Sequence, residues 1–231
     1  MLPVRVCSLS LPPQTMQDKD GNPDGFAVHI LQAVAKQLNW KLDYSYFPWM
    51  RVVLKAKRGK CDLMMTVLKR DDYKQFMAFP KESVINQKNV LIVRHDSEIQ
   101  YSGDLEVFMR KYVIGLYMDK AVDENFEKIR KAPWAKIVTV AQPVQVIKML
   151  IAGRFDAAIE NHLTSVYYLK GIGGLDSVEI LSPPLNITPA YITFPLAGRL
   201  SEKNIAEFDS AMVDFKKTDN YQKLKNSYLG K

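Results

Sequence analysis

Gly59-Lys60-Cys61-Asp62-Leu63-Met64-Met65 and Gly153-Arg154-Phe155-Asp156-Ala157-Ala158-Ile159 are two copies of one pattern: glycine, a basic residue, any residue, aspartate, then an apolar run. Each copy follows a helix-like stretch, and each reads as a helix end, a tight turn and a buried strand. Asp62 and Asp156 are expected to hydrogen-bond the backbone of their turns rather than a ligand. Two copies of one α/β unit imply two similar lobes. Two lobes leave a cleft, and a cleft is where a small molecule binds.

The rest of the chain extends the plan. Residues 4–9 alternate loosely, as a strand does, and Pro12-Pro13 stops them. Asp20-Gly21-Asn22-Pro23-Asp24-Gly25 is a dense turn signal. Phe26, Ile30, Val34 and Leu38 then recur every four residues, with Leu31 and Ala35 widening the stripe of a helix for which Asp24 is the candidate N-cap. Residues 42–47 form a strand. Pro48 opens a helix at a position where its missing N–H costs nothing, and Val52, Val53 and Ala56 supply the buried side. Strands follow at 63–67 and 89–93. The second copy sits in a similar frame: strands at 112–116, 136–140 and 157–159, and helices over 124–131, 143–152 and 163–170. After a strand at 190–194 the chain ends in helices, with Ile205, Phe208, Met212 and Phe215 on one face and Tyr221, Leu224 and Tyr228 on a later one.

Strands alternating with helices imply parallel sheets covered on both faces. The expected fold class is therefore α/β: two Rossmann-like lobes with mixed, mostly parallel sheets, joined by a two-strand hinge near Val90 and Ile192. Residues 1–92 and 193–231 form a discontinuous first lobe and residues 93–192 the second, with the ligand cleft between them.

Composition narrows the function classes. Of 231 residues, 47% are hydrophobic and 25% charged, as in an ordinary folded protein. No apolar run approaches the roughly 20 residues of a membrane helix. Met1-Leu2-Pro3 leads straight into the first strand, so the chain is either cytoplasmic or has lost a signal. The net charge of +7 permits weak attraction to acidic partners. Lys and Arg are scattered, and the mild cluster at Lys55, Lys57, Arg58 and Lys60 reads as a solvated helix face rather than a nucleic-acid footprint. Cys7 and Cys61 read as buried free thiols. A disulfide needs Cα atoms within about 7 Å, and Cys61 stands earlier along its strand than Cys7. His29, His95 and His162 share no ligand spacing, so no metal is expected. There is no phosphate loop, no nucleophile–histidine arrangement and no sign of a cofactor.

The ordered set of Gly25-Phe26, Ala33-Val34-Ala35, Trp49, Gly59-Lys60-Cys61-Asp62, Phe79, residues 90–93, Ile114-Gly115, Gly153-Arg154-Phe155-Asp156-Ala157 and Tyr221-Gln222-Lys223-Leu224 resembles the periplasmic solute-binding proteins of the amino-acid-binding type, extracellular solute-binding protein family 3. The resemblance implies two α/β lobes (periplasmic binding protein type II) that close on a ligand. It also implies a monomer in the bacterial periplasm, its signal peptide removed, that serves a transporter permease of the ABC type or a sensor. The family's amino-acid clamp is altered throughout. Tyr73 stands where an arginine pairs with the ligand carboxylate, and Arg70 lies three residues earlier. Asp119-Lys120-Ala121 replaces a Gly-Thr-Thr turn. Asn161, with Glu160 beside it, replaces the aspartate that receives the ligand ammonium. Trp49-Met50-Arg51 looks like the Trp-x-Arg of a divergent branch.

In open parallel sheets ligands sit beyond the carboxyl ends of the strands. The candidate ligand-binding residues are therefore Leu11 and Gln14 after the first strand, Phe47, Trp49 and Arg51 after the second, and Thr66, Leu68, Arg70 and Tyr73 after the third. From the other lobe come Tyr117, Met118, Asp119, Lys120, Gln142, Glu160 and Asn161. Arg51 and Arg70 offer planar forks for an anion or make surface ion pairs. Trp49 stacks on a ligand or packs on a helix. Glu160 holds a cation or points away and leaves Asn161 to the ligand. The expected function is non-catalytic binding of a small polar solute, amino-acid-like or another charged metabolite. The alternatives are a cyclohexadienyl dehydratase-like enzyme with Glu160 or Asp119 as acid or base, and a sensor or interaction module with a reassigned pocket.

Overall fold

The computed structural model describes residues 3–118, 120 and 122–229. The chain divides into two compact units, residues 1–86 with 189–231 and residues 87–188. Unit 1 contains β1 (Val4–Ser8), the two-residue strands β2 (Met16–Gln17) and β3 (Pro23–Asp24), α1 (Phe26–Gln37), β4 (Leu42–Tyr46), α2 (Trp49–Lys57), β5 (Leu63–Leu68), α3 (Asp71–Lys74) and β6 (Met77–Ala78). β7 (Ile85–Arg94) leads into unit 2, which continues with α4 (Leu105–Lys111), β8 (Ile114–Tyr117), α5 (Glu124–Ile129), β9 (Ile137–Val140), α6 (Pro143–Ile151), β10 (Ala157–Asn161), α7 (His162–Ile172) and β11 (Val178–Ile180). β12 (Asn186–Pro195) returns to unit 1, which ends with α8 (Glu202–Lys216) and α9 (Asp219–Leu229).

The two units repeat one sheet. In unit 1 the order is β4-β1-β5-β12, with β1 parallel to β4 and β5 and with β12 antiparallel to β5. In unit 2 the order is β9-β8-β10-β7, with β8 parallel to β9 and β10 and with β7 antiparallel to β10. In each unit the first parallel strand lies between the second and third. The strand order therefore reverses at one place, between β1 and β5 or between β8 and β10.

The expected mixed, mostly parallel α/β architecture is the one observed, and the apolar strands explain it. In unit 2, Leu91, Val93, Ala157 and Ile159 face Leu105, Phe108, Met109 and Phe126 of α4 and α5. Their neighbours Val90, Ile92 and Ala158 face Val146, Ile147, Leu150 and Leu169 of α6 and α7. A strand buried on both faces needs apolar residues in both phases of its alternation. In unit 1, Val52, Val53 and Ala56 of α2 pack with Cys7, Cys61, Met64 and Val67.

Both copies of the opening motif build the same joint. After α2, Gly59 takes φ +63°, its N–H donates to Ala56 O at 3.0 Å and Lys60 N–H donates to Lys55 O at 2.9 Å. After α6, Gly153 takes φ +68°, with Gly153 N–H on Leu150 O at 2.9 Å and Arg154 N–H on Met149 O at 3.0 Å. These paired bonds satisfy the last helical carbonyls, and the left-handed residue between them suits glycine. The aspartate then grips the neighbouring strand. Asp62 N–H donates to Arg5 O at 2.8 Å, and Arg5 N–H donates to Asp62 Oδ2 at 2.9 Å. Asp156 N–H donates to Val113 O at 3.0 Å, and Val113 N–H donates to Asp156 Oδ2 at 2.8 Å.

Asp62 carries more than Asp156 does. Although 1% exposed, it also receives the Arg5 guanidinium at 3.0 and 2.7 Å and the Arg199 backbone N–H at 3.0 Å, with the Arg199 guanidinium closing on both oxygens. Burial alone would raise its pKa, but the hydrogen bonds from Arg5 and Arg199 outweigh burial and hold the carboxyl well below the usual range.

Two expectations are corrected here and one element is added. Cys7 and Cys61 form a disulfide, with Cα atoms 5.8 Å apart. β1 pairs with β5 so that Cys7 lies opposite Met64, but Cys61 stands in the turn ahead of β5, and that turn brings its side chain beneath α2 beside Cys7. The bridge closes a separation of 54 residues, worth about 4 kcal/mol in chain-entropy terms. The N-cap of α1 is Gly25 at φ +117° rather than Asp24, whose carboxylate instead accepts the Gly25 N–H at 2.7 Å. A Cβ on Gly25 would lie 2.6 Å from Gln14 O, so close backbone approach decides the cap. Finally, α4 was not expected. Its N-cap, Asp104, accepts Val107 N–H, and Leu105, Phe108 and Met109 form its buried side over less than two turns.

Two outcomes follow. Gly153→Ala should cost about 1–2 kcal/mol, the strain of a left-handed alanine, because only the Arg94 side chain lies near the new Cβ, at 3.6 Å. Gly59→Ala should cost clearly more, since its Cβ would meet Ala197 O at 2.4 Å; urea unfolding of both variants tests the order. Asp62→Asn should cost about 2–3 kcal/mol at neutral pH. The folded pKa of Asp62 lies below the unfolded value of about 4, so its stabilisation is full above that pH and is lost as pH falls through the folded value. The stability gap between native chain and variant, measured by urea unfolding at each pH, should stay constant from pH 8 to 5 and close only in strong acid.

Candidate functional site

The place where strand order reverses is where open α/β sheets leave room for ligands. Most residues expected at a site fall at these strand ends, and each unit gathers a different chemistry there.

In unit 1, β4 ends at Tyr46, and Pro48 starts α2 so that Trp49 is its first residue. The Trp49 indole N–H donates to the Tyr73 hydroxyl at 2.9 Å, with ring centroids 6.0 Å apart. Phe47 and Phe76 join them in packing on the α2 core. Cations lie over these rings: Arg51 at 5.0 Å and Lys55 at 4.5 Å from the Phe47 ring, Lys57 at 4.6 Å from Phe76, and Arg70 at 5.2 Å from Tyr73. The Arg70 fork also closes on Asp72, Nε to Oδ1 at 3.0 Å and the terminal nitrogen to Oδ2 at 3.3 Å, with both partners half exposed. Phe47, Trp49, Arg51, Arg70 and Tyr73 thus form one aromatic, cationic cluster.

Thr66 takes φ +51°, in a strand whose pairing with β12 shifts register between Tyr191 and Thr193. A left-handed β-branched residue costs about 1–3 kcal/mol. The bulge spends that strain to re-aim the chain ahead of Leu68, which lies opposite Ala190 on β12. Leu11 and Gln14 are buried in the turn after β1, where Leu11 N–H donates to Thr15 O at 2.6 Å and Gln14 N–H to Leu11 O at 2.8 Å.

In unit 2, β8 and β10 bring Lys120 and Glu160 together. The ammonium lies 2.9 Å from Glu160 Oε1, with the side chains 4% and 0% exposed. Asn161 N–H donates to the same oxygen at 2.6 Å. Glu160 Oε2 and Thr164 Oγ1 are buried with no hydrogen-bond partner among the described residues. The Tyr117 ring lies 5.8 Å from the Lys120 ammonium. Burial first, and the Glu160 charge second, push the Tyr168 hydroxyl up to about 12. Asn161 caps α7, its Oδ1 accepting Leu163 N–H at 3.0 Å and Thr164 N–H at 3.2 Å, and it donates to Gln87 Oε1 at 2.6 Å. The cation that Glu160 meets in this structure is the chain's own Lys120.

Gln142 is exposed at the head of α6, where its N–H donates to Gln145 Oε1 at 3.1 Å, and Met118 is 58% exposed. Among the described residues no hydrogen bond or ion pair joins either to Lys120 or Glu160. Asp119 lies outside the described residues. A shallow depression of about 430 Å³ beside β9, lined by Val140, Ala141, Gln145, Lys148 and Met149, contains none of the expected residues. It lies beside the edge strand of unit 2.

Sequence reading missed Gln87, Thr164, Tyr168 and Phe76. Gln87 carried a signal: Ile85, Gln87 and Asn89 are buried at period two within β7, and an amide at a buried strand position needs a partner. No group of three or more His, Cys, Asp or Glu able to hold a metal occurs among the described residues.

Residues 4–231 match the family model described as bacterial extracellular solute-binding proteins, family 3. A probable histidine-binding protein of Neisseria gonorrhoeae is 24% identical over 220 residues, which cover 93% of this chain and 78% of that protein. A solved histidine kinase sensor domain with similarity to periplasmic binding proteins superposes with a TM-score of 0.82 at 18% identity, over 99% of this chain and 96% of the other. An ancestral arginine-binding protein bound to arginine gives 0.80 at 19% identity, over 99% and 98%. At such identities the likeness of structures speaks for the fold.

The buried pair makes a sharp prediction. Glu160→Gln strands the Lys120 charge and should cost about 3–5 kcal/mol, whereas Lys120→Met with Glu160→Leu should recover most of that loss. Urea unfolding of native, single and double variants measures it. Equal loss in the single and double variants would show that packing, not charge, holds this corner.

Proposed function

The chain belongs to the bacterial extracellular solute-binding proteins, family 3, and from that membership we propose that it is a non-catalytic receptor. It binds a small polar solute at the carboxyl ends of its parallel strands and delivers it to a transporter or a sensor. The observation that carries this reading is the gathering of aromatic and polar side chains beyond the carboxyl ends of the parallel strands, Trp49 with Tyr73 after β4 and β5 and Lys120 with Glu160 at the ends of β8 and β10. Aromatic rings supply a flat apolar wall with polar edges.

The periplasm is the compartment we propose. A disulfide between Cys7 and Cys61 persists in an oxidising environment and is rare in the cytosol. Of the two carboxylates offered to the enzyme alternative, Asp119 lies outside the described residues, and Glu160 has one oxygen committed to Lys120 and the Asn161 N–H. A sensor module is the second reading. It is favoured by the same ion pair, which completes itself without any solute.

A receptor that binds solute only when folded gains stability with ligand. At 100 times Kd the gain is about 2.7 kcal/mol. Thermal unfolding against a panel of amino acids, short peptides, polyamines, organic acids and sugar acids should show at least one saturable rise. A panel with no rise would remove the receptor reading and leave the sensor or interaction module.

A further inference from the structure

Asp62 and Glu160 are the two buried carboxylates among the described residues. Asp62 belongs to the joint at the head of β5, far along the strand from the ligand end. Glu160 lies at the carboxyl end of β10, beside the strand-order reversal of unit 2. A buried carboxylate in that position is a receptor for a cation, because a charge so removed from water is tolerated only when paired.

The cation present is the Lys120 ammonium, 2.9 Å from Oε1. It reaches Glu160 from the turn after β8, where Lys120 N–H donates to Tyr117 O at 3.0 Å and Arg130 approaches Lys120 O at 3.5 Å. An ammonium has three donors, and Glu160 is the one hydrogen-bond acceptor its side chain meets among the described residues. Glu160 Oε2 is buried with no hydrogen-bond partner among the described residues. The carboxylate therefore has more accepting capacity than its resident uses.

We propose that Glu160 is a cation seat at the ligand end of unit 2 and that Lys120 is its resident, intramolecular cation. The ligand group accepted at this strand end consequently carries no positive charge. Lys120 is then the specificity-determining residue: it rejects ammonium-bearing solutes by occupying the position such a group would take, and losing it would admit them. This rests on the solute-binding reading above for its consequence, but the seat itself is testable without any known ligand.

Lys120→Ala removes the tethered cation together with its stem. n-Propylammonium chloride is titrated against this variant and against the native chain while the melting temperature is recorded, with n-propanol and sodium chloride as controls. The expected result is a saturable rise in the variant alone. A tenfold excess over Kd should shift its folding equilibrium about elevenfold. Neither control should reproduce the rise. No rise, or an equal rise in the native chain, overturns the proposal. If Lys120→Ala does not fold, Lys120→Met with ammonium chloride against sodium chloride is read in the same way, because methionine keeps the four-atom stem and vacates only the place of the ammonium nitrogen.

A second measurement separates specificity from a purely structural ion pair. Binding of matched pairs that differ only in the charged group, alanine against lactate and phenylalanine against phenyllactate, is compared by calorimetry. The native chain should prefer the hydroxy acids, and Lys120→Ala should move the ratio at least tenfold toward the amino acids. An unmoved ratio, or a native preference for the amino acids, overturns the proposal. Rescue by n-propylammonium in a protein for which the whole solute panel is silent supports the seat and removes the receptor reading instead.

Discussion

A parallel strand has no hairpin to set its register, so the register must come from another interaction. In both units that interaction is an aspartate at the head of the third strand. Asp62 brackets the backbone N–H and carbonyl of Arg5, and Asp156 brackets those of Val113. With one residue of the first strand held by both its polar groups, the pairs Val6 with Leu63 and Ala157 with Ile114 follow. A one-residue slip would turn every side chain of the strand to its other face. The strand ends, and whatever they present to a solute, inherit their alignment from this grip. Only Asp62 draws in two arginines as well, one from β1 and one from the segment after β12, and so ties the chain's return to its beginning.

Charges at the strand ends are largely matched within the chain. Arg70 faces Asp72 in partly exposed surroundings, an arrangement that contributes little to stability. Lys120 faces Glu160 in full burial, where the pair is costly to form and costlier to break. The aromatic cluster of unit 1 carries cations over its ring faces, an attraction that strengthens as water is excluded.

The alternation of strand and helix was legible because apolar runs and periodic stripes are local signals. The two glycine joints were legible because glycine at a helix end has one main physical use. The short β2, β3, β6 and β11 and helix α4 were not, since two to seven residues carry too little pattern to stand out. The disulfide was misread for a related reason. Strand positions put Cys7 and Cys61 out of step, and nothing local shows that the turn before β5 swings Cys61 beneath α2. Among the site residues, proximity along a strand end was readable, whereas partnership was not: Trp49 with Tyr73 spans 24 positions and Lys120 with Glu160 spans 40.

By itself, then, the amino-acid order determined the class of fold, the repeated α/β plan and which stretches would lie at the strand ends. Tertiary structure alone decided which side chains meet there: that Glu160 pairs with Lys120, that Asn161 caps α7 and donates to Gln87, and that two cysteines join. The reason is physical. Secondary structure is dictated by periodicity and backbone sterics within a few residues, but the cost of an unpaired buried charge is settled by whichever partner the fold brings within reach, and that partner can be anywhere along the chain.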